Sequence, residues 1–258
     1  MIPDFSEYRE PMVGGGSVFL AIRNQEPSKS YWINDINRGI YSFWHMCKKD
    51  PERLRKEAEN FKRTCRNGWE LFMSLKHYTP STILDSALRF YVLNRISFSG
   101  LSDSGGFSEE SFKKRFTAES LELLRHIGQH LENVKVTNED YEQLLSAPGS
   151  RVFIYLDPPY ITNKESKLYG KRGSLHGTFD HERFARNVEE CDHKWLISYD
   201  RCEQVYKRFS FGYVYEKELP YSMNNVRNGP RNHMGKELFI TNFKVRQHDL
   251  SDYGLIAV

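Results

Sequence analysis

The stretch Val152–Leu156 (VFIYL), followed at once by Asp157-Pro158-Pro159-Tyr160, constrains this chain more than any other. Five consecutive apolar or aromatic residues between polar flanks predict a strand covered on both faces, as strands of a parallel sheet are. The two prolines end that strand, stiffen the turn after it and remove two backbone donors, which leaves carbonyls free to accept hydrogen bonds. Further stretches rich in β-branched and aromatic residues, at 31–36, 134–137, 195–199, 213–219 and 238–243, also read as strands. Helical patterns at 37–49, 117–131, 180–190 and 200–207 lie between several of them. Strand alternating with helix predicts an α/β fold with a mainly parallel, Rossmann-like sheet.

One interval breaks the alternation. Residues 51–116 hold charged helical segments at 51–68 and 83–95 but no convincing core strand. A connection within an α/β unit usually takes about 2–6 residues, so an inserted helical subdomain is predicted there. The remaining domain is then formed by residues 1–50 and 117–258. Inside the insertion, 97–108 reads SFSGLSDSGGFS, a loop or hairpin tip whose small polar residues, Ser99 and Ser102 among them, suit contact with a partner.

Residues 10–17 read Glu-Pro-Met-Val-Gly-Gly-Gly-Ser and open a short helix. Gly14, Gly15 and Gly16 at a strand-to-helix turn permit positive φ angles and let a ligand approach bare backbone. A plain tight turn would use the same residues. Asp35 favours the ligand, because an acidic residue about 20 positions beyond the glycines, at the end of the next strand, is where such folds grip ribose hydroxyls. Phe19 stands where a dinucleotide fingerprint has its third glycine, and no Gly-Lys-Ser/Thr ending follows. A phosphate-free cofactor, S-adenosylmethionine, therefore fits better than NAD or ATP.

Several classes are excluded by what the chain lacks. Its four cysteines, at 47, 65, 191 and 202, form no C-x-x-C pair, and His126 is not followed by the glutamate of a zinc-binding H-E-x-x-H. Reduced thiols and no metal are expected. No apolar run reaches transmembrane length and no signal peptide is visible, so a cytoplasmic protein without a membrane partner is expected, monomeric in solution. A formal charge of +3 permits a polyanionic partner without demanding one.

The turn at 157–160 suggests chemistry on an amino group. The exocyclic amine of adenine is a poor nucleophile, since its lone pair is delocalised into the ring. Acceptors from the Asp157 carboxylate and the Pro158 carbonyl can take both amino protons, pyramidalise the nitrogen and aim its lone pair at a methyl donor. Pro159 fixes the turn, and Tyr160 offers a ring on which an extruded base can stack. Methylation of a cytosine ring carbon needs a cysteine nucleophile, typically after proline, and none of the ten prolines precedes a cysteine.

These motifs together resemble the adenine-specific DNA methylases that include the GATC-methylating enzymes. The resemblance runs from EPMVGGGS (10–17) through Asn34-Asp35, NRISFSGL (94–101), NEDYEQLL (138–145) and YLDPPY (155–160) to KELFITN (236–242). It implies a site-specific methyltransferase that moves a methyl group from S-adenosylmethionine to adenine N6 in double-stranded DNA, with residues 51–116 as the target-recognition insertion. It implies a cofactor site of Glu10, Gly14, Gly15, Gly16, Ser17, Asp35, Asp140, Tyr141 and Asp157, with Asp140 on the cofactor's adenine. The resemblance leaves two arrangements open, an enzyme that stands alone and one paired with a cognate restriction endonuclease in the same system. Two alternatives stay open on sequence: an amino-group methyltransferase acting on RNA or protein, and a shortened, inactive DNA-binding homologue.

The second alternative arises from two departures. No Gly-Gly-Lys segment precedes the glycine turn as it does in the family, and Met12 stands where phenylalanine is common. Methionine keeps apolar volume but loses ring stacking, so weak cofactor binding is expected.

For the DNA, Lys113, Lys114 and Arg115 beside the Ser/Gly stretch, and Lys171 and Arg172 in the basic loop after the DPPY turn, are the candidate phosphate contacts. Neutralising Lys171 and Arg172 together is predicted to weaken binding to all duplex sequences. It should also flatten the dependence of log K on log salt by up to about 0.9 per lost phosphate contact. An unchanged salt slope in a fluorescence-anisotropy titration would remove both residues from the interface.

Overall fold

The computed structural model describes residues 1–100, 105–161, 179–220, 234–246 and 255–257. Eight strands are seen: β1 (Glu7–Glu10), β2 (Ser30–Asn34), β3 (Val134–Thr137), β4 (Val152–Leu156), β5 (Lys194–Asp200), β6 (Tyr213–Pro220), β7 (Met234–Thr241) and β8 (Leu255–Ala257). They form one sheet in the order β3-β2-β1-β4-β5-β7-β6-β8. The first five pair in parallel, and β7, β6 and β8 continue the sheet antiparallel. The result is a mixed α/β fold with a large, mostly parallel sheet.

The apolar strand β4 feeds both faces, as its composition requires. Phe153 points into a cluster with Phe19, Ile33 and Trp44, while Val152, Ile154 and Leu156 point the other way, among Phe184, Val188, Ile197 and Leu238. On the neighbouring β5, Leu196 joins the first cluster and Trp195, Ile197 and Tyr199 the second. The first face is covered by α1 (Ser17–Gln25), α2 (Arg38–Lys49) and α7 (Ala118–His130). The second is covered by α8 (Glu142–Ser146), α9 (His181–Glu189) and α10 (Glu203–Arg208).

Between α2 and α7 run α3 (Pro51–Thr64), α4 (Gly68–His77), α5 (Ile83–Ile96) and α6 (Glu109–Arg115). The interval is helical, as its sequence suggests, but its buried side is continuous with the sheet. Leu54, Phe72, Leu88 and Phe116 belong to the same apolar cluster as Phe19 and Ile33, with α5 lying against α2 and α3 against α7.

Several helix starts are set by side-chain caps. Asn37 Oδ1 accepts from the Gly39 N–H (2.8 Å), Thr117 Oγ1 from Ser120 (3.2 Å) and Asp180 Oδ1 from Arg183 (2.9 Å). The helix expected from residue 200 begins later, at Glu203, because Asp200 is still paired with Glu237 across β5 and β7. The strand expected at 238–243 begins earlier, at Met234, and ends at Thr241, since β7 pairs with β6 along eight residues. β8 was not anticipated. No helix among the described residues is long and apolar enough to cross a membrane.

β1 carries Glu7, Arg9 and Glu10 in four residues and has no apolar run by which its limits could be read. Arg9 is nonetheless fully buried. Its guanidinium donates to the carbonyls of Leu144 (2.8 Å) within α8 and of Ala147 (2.7 Å) and Pro148 (2.9 Å) just beyond it, and to Glu7 Oε1 (2.7 Å). It also lies over the Trp32 ring at 5.3 Å. Burying a guanidinium is tolerable when its donors are matched in this way. Arg9→Leu strands those carbonyls in the interior and is expected to lower unfolding free energy by about 3 kcal/mol, read as a lower urea midpoint. A midpoint equal to that of the parent would show that the clamp contributes nothing.

Candidate active site

In the parallel half of the sheet the chain runs outward from β1 to β2 and β3, then returns to place β4 on the other side of β1. Beyond the carboxyl ends of two such strands the connections diverge and leave a crevice. Both sequence motifs fall there, the glycine turn directly after β1 and Asp157–Tyr160 directly after β4.

The glycine turn is held from three sides. Gly14 and Gly16 have positive φ, 48° and 69°. The Gly14 carbonyl accepts from the Trp44 indole N–H (3.0 Å), and a Cβ on Gly16 would collide with the Trp44 ring. Gly15 faces open space, where even an added Cβ would meet nothing within 4 Å. The Gly14 N–H donates to Asp35 Oδ2 (3.0 Å), while Asp35 Oδ1 accepts from the Asn37 N–H (2.8 Å). Ser17 opens α1 and lines the crevice, and the Phe19 N–H of that first turn donates to Glu10.

Asn34, buried at the end of β2, joins three loops. Its Nδ2 donates to the carbonyls of Pro11 and Glu139, both at 2.9 Å, and its Oδ1 accepts from the Glu139 N–H (2.9 Å) and Thr137 Oγ1 (2.8 Å). Every hydrogen-bonding position of the amide is thereby used. Asp140 follows directly, accepting from the Glu142 N–H (3.0 Å) and paired with Arg183 (3.1 Å), which also holds Glu142. Tyr141 is buried edge-on against Phe184 at 5.3 Å and beneath the Arg183 guanidinium.

Glu10, Gly14, Gly15, Gly16, Ser17, Asp35, Asp140, Tyr141, Asp157, Pro158, Pro159 and Tyr160 all line one cavity of about 600 Å³. The sequence-predicted cofactor and catalytic residues are therefore brought together. Among the described residues lining it, Arg183 is the one basic side chain, and it is engaged with Asp140 and Glu142. Burial pushes Glu10 up to about 8, despite the hydrogen bond it accepts from Tyr8, and Asp157 adds to the rise. Burial likewise raises Asp35 to about 6, against the two backbone N–H groups that favour its charge. Asp157 is open to the cavity, but the protein around it still thins the water and raises it, with Ser198 and Tyr160 opposing. Glu237 of β7 lies 3.4 Å from the Tyr160 hydroxyl and is raised for the same reason.

The candidate DNA contacts are less closely grouped. Lys113 and Lys114 are exposed on α6 and pair with Glu109 (3.1 Å) and Glu110 (2.8 Å) one turn back. Arg115 is half-buried near Arg95, and burial lowers its pKa. Ser102, Lys171 and Arg172 lie outside the described residues, and of Ser99 the backbone alone is described, in the 3-10 turn Phe98–Gly100. Ring-exposing Phe98 and Trp69 on the same insertion were not singled out by sequence. Nor were Asn34 in its hub role, Trp44, Arg183, Ser198 and Glu237, each of which acts through a partner distant in sequence. Met12 packs against the cluster on the second face. No group of three or more His, Cys, Asp or Glu arranged to hold a metal ion occurs among the described residues.

A mostly parallel α/β sheet with a glycine turn, an acidic strand end and a DPPY turn around one crevice is a methyltransferase arrangement. The sequence model for D12 class N6 adenine-specific DNA methyltransferases matches residues 1–223, and the chain belongs to that family. It is an adenine-specific DNA methyltransferase, and membership implies S-adenosylmethionine as cofactor. Over 260 residues it is 24% identical to the type II methyltransferase M1.LlaDCHI of Lactococcus lactis subsp. cremoris, covering 93% of this chain and 87% of that protein. It is 22% identical over 268 residues to the type II methyltransferase M.MjaIII of Methanocaldococcus jannaschii, covering 93% and 89%. Against the DNA adenine methylase of Vibrio cholerae it is 28% identical over 166 residues, 62% of this chain and 58% of that protein.

Raised carboxylates make stability fall with pH. Glu10 and Asp35 bind protons more tightly folded than unfolded, so the folded state holds the extra protons. Stability is then lost as pH climbs from the ordinary 4.5 to about 8 for Glu10, and from 3.8 to about 6 for Asp35. The ligand-free chain should melt at progressively lower temperature between pH 5 and pH 8, and Glu10→Gln should flatten that slope. A parallel slope in the variant would show that Glu10 titrates normally.

Proposed function

We propose that this cavity is the methyl-transfer site, with the cofactor along the β1 side and the target adenine at the β4 side. The observation that carries the reading is that the glycine turn, Asp35 and Asp157–Tyr160 line one space. S-adenosylmethionine suits the donor set. It brings a sulfonium, an ammonium and two ribose hydroxyls to a cavity rich in carboxylates, and Gly15 leaves room for close approach. When bound, it supplies an electrophilic methyl group on sulfur, so the reaction asks for no metal.

Asp35, already oriented by Gly14 and Asn37, accepts from the ribose hydroxyls. Gly14, Gly15, Gly16 and Ser17 border the cofactor with bare backbone, Asp140 and Tyr141 hold its adenine, and Glu10 faces its positive charge. At the other side, Asp157 and the Pro158 carbonyl accept the two amino protons of the target base. That draws the nitrogen's lone pair out of conjugation and points it at the methyl group. Pro159 keeps the turn rigid and the Tyr160 ring stacks on the base, which has to leave the duplex to reach this depth. Catalysis is then positioning and electrostatics rather than covalent chemistry.

Residues 51–116 serve in this reading as the recognition subdomain, meeting duplex DNA through Ser99, Ser102 and Lys113–Arg115, with Lys171 and Arg172 closing on the phosphates. The relatives named as type II methyltransferases favour a modification enzyme; a cognate restriction endonuclease beside it, a cytoplasmic location and a monomeric state belong to this reading as proposals.

Asp157→Ala should reduce transfer of radiolabelled methyl to duplex DNA by about 100-fold or more, the scale on which a preorganised polar contact acts. Binding of S-adenosylmethionine by calorimetry should persist. Undiminished transfer by this variant would end the reading.

A further inference from the structure

A carboxylate that must present one chosen oxygen to a substrate needs something to hold the other. The parallel register of β4 and β5 sets Leu156 opposite Ile197, so the next residues along, Asp157 and Ser198, come level. Ser198 is 1% exposed, and nothing in the reaction described so far uses it. Its Oγ lies 3.1 Å from Asp157 Oδ1 and 2.9 Å from the Tyr155 hydroxyl.

Donor counting fixes the direction of this chain. An ionised carboxylate only accepts, so the single Ser198 proton goes to Asp157 Oδ1. The Ser198 oxygen then accepts from Tyr155, whose O–H is the remaining donor. The order is Tyr155 to Ser198 to Asp157, so Oδ1 is engaged, and Oδ2 is the oxygen the amino group would meet, with the Tyr160 hydroxyl also bonded to the carboxylate. Strand alternation supports the arrangement, because Tyr155 and Asp157 share a face of the sheet and Ser198 shares it on the neighbouring strand.

We propose that Ser198 is a positioning residue for methyl transfer: it occupies Asp157 Oδ1 so that Oδ2 meets the amino group, and Tyr155 holds Ser198 as a donor. This rests on the reading that Asp157 binds the target amine. The hydroxyl pair also favours the charged carboxylate, the form able to accept from the amine. Other titratable groups face Asp157 from every side: Tyr160 on its own turn, Glu10 on β1, Asp200 on β5 and Glu237 on β7. They are common to all the variants below, so differences between variants report the hydroxyl pair.

The test is single-turnover and steady-state methylation of duplex DNA across pH by the full chain, with thermal melting to verify folding. Ser198→Ala should lower kcat about tenfold, the scale of one hydrogen bond, and leave KM for S-adenosylmethionine unchanged. The acid limb of its rate profile should move to higher pH, since a carboxylate deprived of a donor gains its proton more readily. Tyr155→Phe should move kcat and the acid limb in the same directions by less, and it carries the test if Ser198→Ala fails to fold. Asp157→Ala is run in parallel. If it is inactive while Ser198→Ala keeps the parent's kcat and acid limb, the positioning role is overturned and the site reading stands. A lower kcat with an unmoved acid limb equally overturns it, as a general packing effect. An active Asp157→Ala overturns the site reading beneath it.

Discussion

Everything functional in this molecule hangs on the pairing of β1 with β4. Glu7 sits opposite Val152 and Arg9 opposite Ile154, strands separated by more than 140 positions in the chain yet adjacent in the sheet. Their parallel sense carries both exits to the same edge. Once they pair, the glycine turn and the DPPY turn have no choice but to face each other. The Asn34 amide then sets their depth, tying the Pro11 carbonyl on one loop to Glu139 on another. A buried amide with all its positions filled is rigid, because any rotation would leave polar atoms unmatched in the interior.

The same crevice is electrostatically costly. Glu10, Asp35, Asp157 and Glu237 are all raised, burial being the first cause in each case. A fold optimised for stability alone would place apolar residues there. The two apolar clusters flanking β4 and β5 offset the cost, and it follows that the site's carboxylates are tolerated by the fold rather than demanded by it. Perturbed acids concentrated in one cavity are a mark of a working site.

Much of this was legible in the sequence, for physical reasons that can be named. β4 was readable to the residue because burial on two faces leaves an uninterrupted apolar run, and α2, α7 and α9 were readable because Asn37, Thr117 and Asp180 cap them. The two turns that meet at the crevice were readable because glycine and proline mark backbone requirements that no other residue meets. β1 was illegible because Arg9 and Glu10 are buried charges, which periodicity assigns to the surface. Ser198 and Asn34 were illegible as site elements because their meaning lies in partners on other strands. Arg183 carries no local signal of its role, which comes from α9 setting it against Asp140.

The continuity of the apolar core across residues 51–116 has a consequence for exchanging that segment. Leu54, Phe72, Leu88 and Phe116 are roof beams for the sheet as well as struts of the inserted helices. Exchanging the whole segment for one from a distant relative would unroof Phe19 and Ile33. Phe98, next to the Ser97–Phe107 bridge, is 64% exposed and lies outside that shared interior. Substitutions at such exposed positions would cost the fold little, whereas the buried faces of these helices would not tolerate exchange.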